Sequence, residues 1–403
     1  MSMVCSGAES VPLFVLGFPE DENSGYNPGY HWRLKMATID HLSHLLSDHG
    51  LDAIALIPGQ SLTYLTGLHF HTSERPVTLI VSRDKAVLIL PELEAGKVSQ
   101  SVLPMQAVTF TDNPASWQSS FLQAVQILGL QKANIGVETT RMRFQEFTFL
   151  QGAAPASNIL SADSLLNTLR IQKTTNEVEL IHEAVKIAEQ ALLATLPMLQ
   201  AGVTEAQIAF ELTINLLRAG SNGGSSFEPI VAAGPNGANP HASISDRPLQ
   251  NGDLLIIDWG ANYHDYISDL TRTFAIGSVD EELSHIVEIV HQANMVGCSA
   301  SKPGVSAGSV DQATRAVIQR AGYGDFFIHR TGHGIGMEVH ESPYIYGEND
   351  LILSPGMAFT IEPGIYLPGR GGVRIEDNVV ITSQGCDVLS SLPRELIRLP
   401  YQP

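Results

Sequence analysis

Four carboxylic acids stand in stretches of this chain that are otherwise apolar enough to be buried strands. LLIIDWGANYHDYISDLTRTF places Asp258 directly after four aliphatic residues, and Asp269 eleven positions later in an alternating polar and apolar run, so that the two can face each other across a hairpin. FTIEPGIY places Glu362 directly after an apolar strand, and GGVRIEDNVVIT places Glu376 fourteen residues on, in a strand where Val373 and Ile375 alternate with Arg374 and Glu376. Taken singly, each acid reads as a hydrogen-bonded strand end or as a paired or solvated side chain. Taken together they restrict the fold. Two carboxylates about 4 Å apart repel by roughly 4 kcal/mol at an effective dielectric of about 20, so four of them on buried strands require protons or cations. A pair of metal ions resolves the conflict.

A fifth candidate is His333 in TGHGIGMEVHESP, where Gly332, Gly334 and Gly336 let backbone and substrate come close to the imidazole. Alone, a histidine in such a segment is more often structural. One nitrogen and four carboxylates, with no cysteine, form a hard donor set suited to Mn²⁺, Co²⁺, Fe²⁺ or Zn²⁺ rather than to Cu(I) or an iron-sulfur cluster. We expect two divalent ions, and these residues do not fix which of the four metals they are.

The surrounding pattern implies two domains, because 403 residues exceed what one hydrophobic core organises, and 44% hydrophobic content is ample for both. The first third alternates a helix over 35–49 with the strand-like AIALIP from Ala53, VTLIVS from Val77 and AVLILP from Ala86, the rhythm of an α/β domain. From Thr174 the character changes. Thr174 and Glu177 form a capping box, followed by Val178, Ile181, Val185, Ala188 and Leu192 at helical spacing. Thr204 and Gln207 form a second capping box, opening a helix through about Arg218. Strands and turns follow Gly223, with further helices over about 281–299 and 310–321. The boundary falls between 163 and 174, which we write as 1–165 and 166–403.

A net charge of -19, from 42 acidic against 23 basic residues, repels phosphate backbones and anionic membrane surfaces, so nucleic acid and membrane are not expected as partners. Three widely spaced cysteines, Cys5, Cys298 and Cys386, argue against a disulfide framework and for a reducing cytoplasm. The apolar stretch 11–18 follows no basic residue and contains Pro12. It reads neither as a signal peptide nor as a membrane span.

The order Asp258, Asp269, His333, Glu362, Glu376, with its intervals, resembles the five metal ligands of the pita-bread fold metallopeptidase family, which includes methionine aminopeptidase, aminopeptidase P and prolidase. The resemblance covers about 165–395 and is weaker before it, where SLTYLTG from Ser61 is the clearest echo. It implies a creatinase-like α/β N-terminal domain joined to an α+β pita-bread catalytic domain. It also implies that Asp258 and Asp269 bind one metal, His333 and Glu362 the other, and that Asp269 and Glu376 bridge them. His241 in NPHAS and His340 in VHESP match two further histidines of the family, the first near the scissile amide nitrogen and the second near its carbonyl oxygen. The implied reaction is hydrolysis of the Xaa-Pro bond of dipeptides or short peptides by a hydroxide that the two metals activate. In it Glu362 shuttles the proton, His340 stabilises the oxyanion and His241 orients the substrate.

Arg374 has two readings, a clamp on Glu376 or another ligand and a surface salt bridge. By the same resemblance the N-terminal domain helps form a homodimer and covers the partner's site, with His69, Phe70 and His71 as candidate contacts. Dipeptidase and aminopeptidase both stay open. Some prolidases grip the substrate carboxylate with an arginine four residues after the second histidine; here that position is Tyr344, which leaves the task to Arg370 or to the N-terminal domain. Two other activities stand beside these: a metal-dependent hydrolase or lyase of a small nonpeptide substrate, and a catalytically inactive module that binds protein.

Overall fold

The computed structural model describes residues 38–399. Cys5, the apolar stretch 11–18 and residues 35–37 of the expected first helix lie outside the described residues. Helix α1 (Ile39–Asp48) begins where Thr38 Oγ1 accepts the His41 amide at 3.2 Å, so the cap sets its start at Ile39.

The apolar runs of the first third form β1 (Ala53–Leu56), β2 (Thr78–Ser82) and β3 (Ala86–Pro91). With β4 (Gln106–Phe110), β5 (Asn134–Val137) and β6 (Asn158–Ser161) they make one sheet, ordered β4-β3-β2-β1-β5-β6. The three runs read as continuously apolar because both faces of the sheet are covered. Ala53, Ala55, Ile80, Val87 and Ile89 pack against α3 (Trp117–Leu128) and α4 (Phe144–Ala153). The alternate residues Ile54, Leu56, Leu79, Val81 and Leu88 face α1, α2 (Gln60–Thr66) and α5 (Asp163–Arg170).

After α5 two similar halves follow one another, each a long and a shorter helix and then antiparallel strands. The first half has α6 (Thr175–Thr195) and α7 (Glu205–Arg218), each opened by its expected capping box. Its sheet, β19-β11-β8-β7, contains β7 (Ile230–Ala233), β8 (Leu254–Trp259), β11 (Leu270–Ile276) and β19 (Ile397–Leu399). A small ribbon, β9 (Asn262–Tyr263) with β10 (Tyr266–Ile267), joins β8 to β11. Trp259 anchors sheet to helix by donating its indole N–H to Ala188 O at 2.8 Å.

The second half has α8 (Glu281–Ala300) and α9 (Ala307–Arg320). Helix α9 starts three residues earlier than its apolar pattern suggests because Ser306 Oγ caps the Ser309 amide. The second sheet is β13-β12-β14-β17-β18, from β12 (Gly332–Gly334), β13 (Glu341–Ile345), β14 (Ala358–Ile361), β17 (Asp377–Ile381) and β18 (Cys386–Val388); β15 (Gly364–Leu367) and β16 (Gly371–Arg374) form a second ribbon. The two sheets touch at the bridge between Thr271 and Glu376, and at the buried Arg272–Asp377 pair, 2.8 Å apart. The architecture is thus the expected α/β sheet domain followed by an α+β domain. Among the described residues no helix is long and apolar enough to cross a membrane.

Candidate metal centre

The seam between the two sheets gathers all five predicted residues at one cavity of about 660 Å³. Asp258 lies on β8, paired with Thr271 of β11. Asp269 sits one residue before β11, not within a strand as its alternation suggested. Asn378 holds its backbone from both sides: Asp269 N donates to Asn378 Oδ1 at 3.1 Å, and Asn378 Nδ2 donates to Asp269 O at 2.6 Å. Glu362 immediately follows β14, and Glu376 stands between β16 and β17, where its amide donates to Thr271 O at 3.1 Å. Three of the four acids therefore sit at strand ends, where a carboxylate can turn into the seam.

His333 is the middle residue of β12, rather than part of a loop. Its glycine neighbours serve the packing of strands. A Cβ at Gly332 would lie 1.8 Å from Thr360 O, and one at Gly334 would lie 2.2 Å from Ser342 O. The imidazole Nδ1 lies 3.2 Å from Gly334 O and donates to it, which turns the Nε2 lone pair toward Glu362 Oε1 at 3.4 Å and Asp269 Oδ2 at 3.6 Å. Burial pushes the His333 pKa well below its ordinary value, keeping the ring neutral.

Burial, together with neighbouring carboxylates, raises Asp269 and Glu376 well above the usual carboxyl range and pushes Glu362 up to about 8. The buried oxygens Asp258 Oδ1, Asp269 Oδ1 and Glu376 Oε1 have no hydrogen-bond donor among the described residues. Asp269, His333 and Glu376 each offer an atom within 4.8 Å of the others. Orphaned acceptor oxygens around a neutral imidazole nitrogen fit divalent cations, which satisfy the acceptors and neutralise the charge together.

Arg374 is buried and belongs to this centre, so the surface salt bridge is excluded. Its Nη2 donates to Asp258 Oδ2 at 2.5 Å, Nε to Thr271 Oγ1 at 3.2 Å and Nη1 to Tyr366 Oη at 3.0 Å. Thr271 in turn donates to Glu376 Oε2 at 2.7 Å, so Arg374 reaches Glu376 only through that hydroxyl.

His241 and His340 also line the cavity and are both exposed. The His340 ring meets His333 edge-on, centroids 4.2 Å apart. Burial of its inner side, and then Arg330 and His241 nearby, lower its pKa.

Other candidates lie elsewhere in this chain. His69 Nε2 is 2.8 Å from Asp265 Oδ1, and Phe70 lies under Lys97; both line a separate pocket of about 240 Å³. Arg370 pairs with Asp280 and Glu282, away from the cavity, which removes it as a grip on substrate there. The residue that sequence reasoning missed is Arg330. Three positions before His333, it lines the metal cavity and stacks its guanidinium over Tyr344, 4.5 Å from the ring centroid, without a hydrogen bond or ion pair from its side chain to any described residue. The departure at Tyr344 was the available signal.

The profile of metallopeptidase family M24 matches residues 179–383, and that of the creatinase/prolidase N-terminal domain matches 39–172. The Xaa-Pro dipeptidase of Pyrococcus furiosus is 38% identical over 366 residues, covering 89% of this chain and 99% of that protein. The probable dipeptidase PepE of Mycobacterium tuberculosis is 36% identical over 362 residues, covering 88% and 94%. Among solved structures, a dipeptidase from Pyrococcus horikoshii OT3 superposes with a TM-score of 0.84 at 38% identity, over 90% of this chain and 99% of that one. A prolidase from Thermococcus sibiricus gives 0.85 at 33% identity, over 90% and 98%. With both sequence and overall fold matching, this chain belongs to metallopeptidase family M24, in which it joins a creatinase/prolidase N-terminal domain to the peptidase domain.

Proposed function

We propose that this chain is a metal-dependent exopeptidase that hydrolyses the Xaa-Pro bond of dipeptides, holding two divalent ions on Asp258, Asp269, His333, Glu362 and Glu376. The observation that carries this reading is the set of buried, donorless carboxylate oxygens around a neutral imidazole. The donors are mostly oxygen, which favours Mn²⁺, with Co²⁺, Fe²⁺ or Zn²⁺ as alternatives. Ions held by these residues would lower the pKa of water and polarise a substrate carbonyl.

The side chains then divide the remaining work. Glu362 is the most exposed of the four acids, with 15% of its side chain accessible, and takes the water's proton and returns it to the leaving amide nitrogen. His340, at the cavity wall, donates a hydrogen bond to the oxygen that becomes negative. His241, on the turn after Pro240, orients the proline side of the substrate. Arg330 supplies the preference for dipeptides. Its guanidinium is held over the Tyr344 ring but has no carboxylate partner among the described residues, so a substrate's free carboxylate fits the fork.

The test compares Ala-Pro with an Ala-Pro-Xaa tripeptide on metal-loaded protein. We expect faster turnover of the dipeptide and loss of both activities on chelation. Equal activity after thorough metal removal overturns the reading, and preference for the tripeptide makes it an aminopeptidase.

Three further features belong to this reading: residues 1–165 and 166–403 as the two domains, a homodimer, and a cytoplasmic location. Light scattering should give twice the chain's 43.5 kDa. A concentration-independent monomer with full activity overturns the dimer.

A further inference from the structure

His340 is exposed at the cavity wall, and the acids flanking it are tied down by another part of the molecule. Glu338 and Glu341 stand two residues before it and one after. Lys173 Nζ donates to Glu341 Oε1 at 2.6 Å, and Arg170 Nη2 reaches both Glu341 Oε2 and Glu338 Oε2 at 2.8 Å. Arg141 Nε donates to the other Glu338 oxygen at 3.0 Å. Arg141 follows β5 of the N-terminal sheet, Arg170 closes α5, the helix that runs across the domain boundary, and Lys173 opens the way into α6. Arg170 Nη1 also donates to Ser61 Oγ at 3.3 Å, and Ser61 donates to Glu138 Oε1 at 2.9 Å. Three cations thus face three carboxylates.

All of these groups except Lys173 line a cavity of about 640 Å³ that shares Val339 and His340 with the metal cavity. The cluster is built tightly: a Cβ at Gly336 would come within 2.6 Å of Glu341 Oε1 and 2.9 Å of Lys173 Cε. Desolvated ion pairs contribute little net stability compared with apolar packing, but they admit few geometries, since every misplaced partner leaves a charge uncompensated. A segment gripped on both sides of one histidine leaves that histidine little freedom of direction.

We infer that Arg141 of the N-terminal domain, with Arg170 at the end of α5 and Lys173 just beyond it, grips Glu338 and Glu341 and so forms a positioning device that aims His340 at the reacting carbonyl within the same chain. This rests on the role of His340 proposed above. The N-terminal domain then shapes turnover directly, in addition to any covering of a site. A displacement of His340 by about 1 Å is enough to cost on the order of 10²-fold in rate, so partial loosening lowers kcat while leaving the substrate's other contacts intact.

The experiment is a set of double-mutant cycles in the full-length, Mn²⁺-loaded protein, with Ala-Pro as substrate. Glu338→Gln, Arg141→Gln and Arg170→Gln are made alone and with His340→Ala, and metal content and melting temperature are recorded for each. Each single variant should keep its metal and a KM within about 2-fold, while kcat falls by on the order of 10-fold. On the His340→Ala background the same substitutions should change kcat by less than about 2-fold, because the group they aim is gone. Losses that multiply in the double variants, or single variants with unchanged kcat, overturn the positioning role while leaving the reading of His340 intact. A His340→Ala variant that keeps the parent kcat removes that reading, and this proposal with it. Should Arg170→Gln not fold, the partly exposed Glu338 and Arg141 carry the test, since 19% and 34% of their side chains are accessible.

Discussion

His333 and His340 are seven residues apart and their rings meet edge to face, yet their surroundings are opposite. His333 is 3% exposed and turns its free nitrogen to two carboxylates, whereas His340 stands at the cavity wall with no carboxylate bonded to its ring among the described residues. Their variants should therefore fail differently. His333→Ala should lose metal, since one donor is gone from an acidic site, while His340→Ala should keep its metal and lose about 10²-fold in kcat. Metal analysis beside kinetics on Ala-Pro decides it, and the opposite pattern reverses the two roles. Arg330 gives a second test. Arg330→Met should raise KM for Ala-Pro by roughly 10-fold or more, because a charge-assisted bidentate contact is lost. Ala-Pro amide, which has no carboxylate, should be hydrolysed equally by variant and parent; equal losses on both substrates would remove Arg330 from recognition.

The elements show where a sequence can be read and where it cannot. The capping boxes Thr174/Glu177 and Thr204/Gln207 were legible because both partners of each hydrogen bond lie within one turn of chain. The strands β1 to β3 were legible because double-sided burial leaves an unbroken apolar run. Asp269 and Glu376 were recognisable as buried acids but misplaced within strands, since Asp269 is held by Asn378, 109 residues away, and Glu376 by Thr271, 105 residues away. Arg141, Arg170, Glu338 and Glu341 gave no local signal, for only the fold makes charges so distant in sequence complementary. Strand β12 carries a prediction of its own. Gly334→Ala drives a methyl into Ser342 O, and Gly332→Ala drives one into Thr360 O, so each should destabilise the protein by on the order of 3 kcal/mol or displace β12. Denaturant unfolding of the metal-loaded variants measures this, and an unchanged midpoint would show that the strand relaxes freely.

At the scale of the whole molecule, the two halves meet along a seam that is acidic, buried and shared: Asp258 and Asp269 come from the first half, and His333, Glu362 and Glu376 from the second. Cations bound in this seam, as proposed, would also hold the halves together, which links metal to stability with a definite sign. Without cations, burial raises the carboxyls of Asp269, Glu376 and Glu362 above their unfolded values, Glu362 from 4.5 to about 8. A carboxyl with a raised folded pKa supports folding fully below its unfolded value. That support is lost as pH climbs through the folded one, because the unfolded chain gives up its proton first. Chelated protein should therefore lose stability between about pH 4.5 and 8 on account of these acids. Loaded protein should not, because the same acids are ionised against the cations, and protons compete with metal only at the acidic end. The remaining charges of the chain titrate in both forms, so the difference in melting temperature between loaded and chelated protein isolates the seam. Calorimetry at pH 5, 6.5 and 8 should show that difference widening with pH. A gap that stays constant or narrows would mean that the acids are not what the metal neutralises.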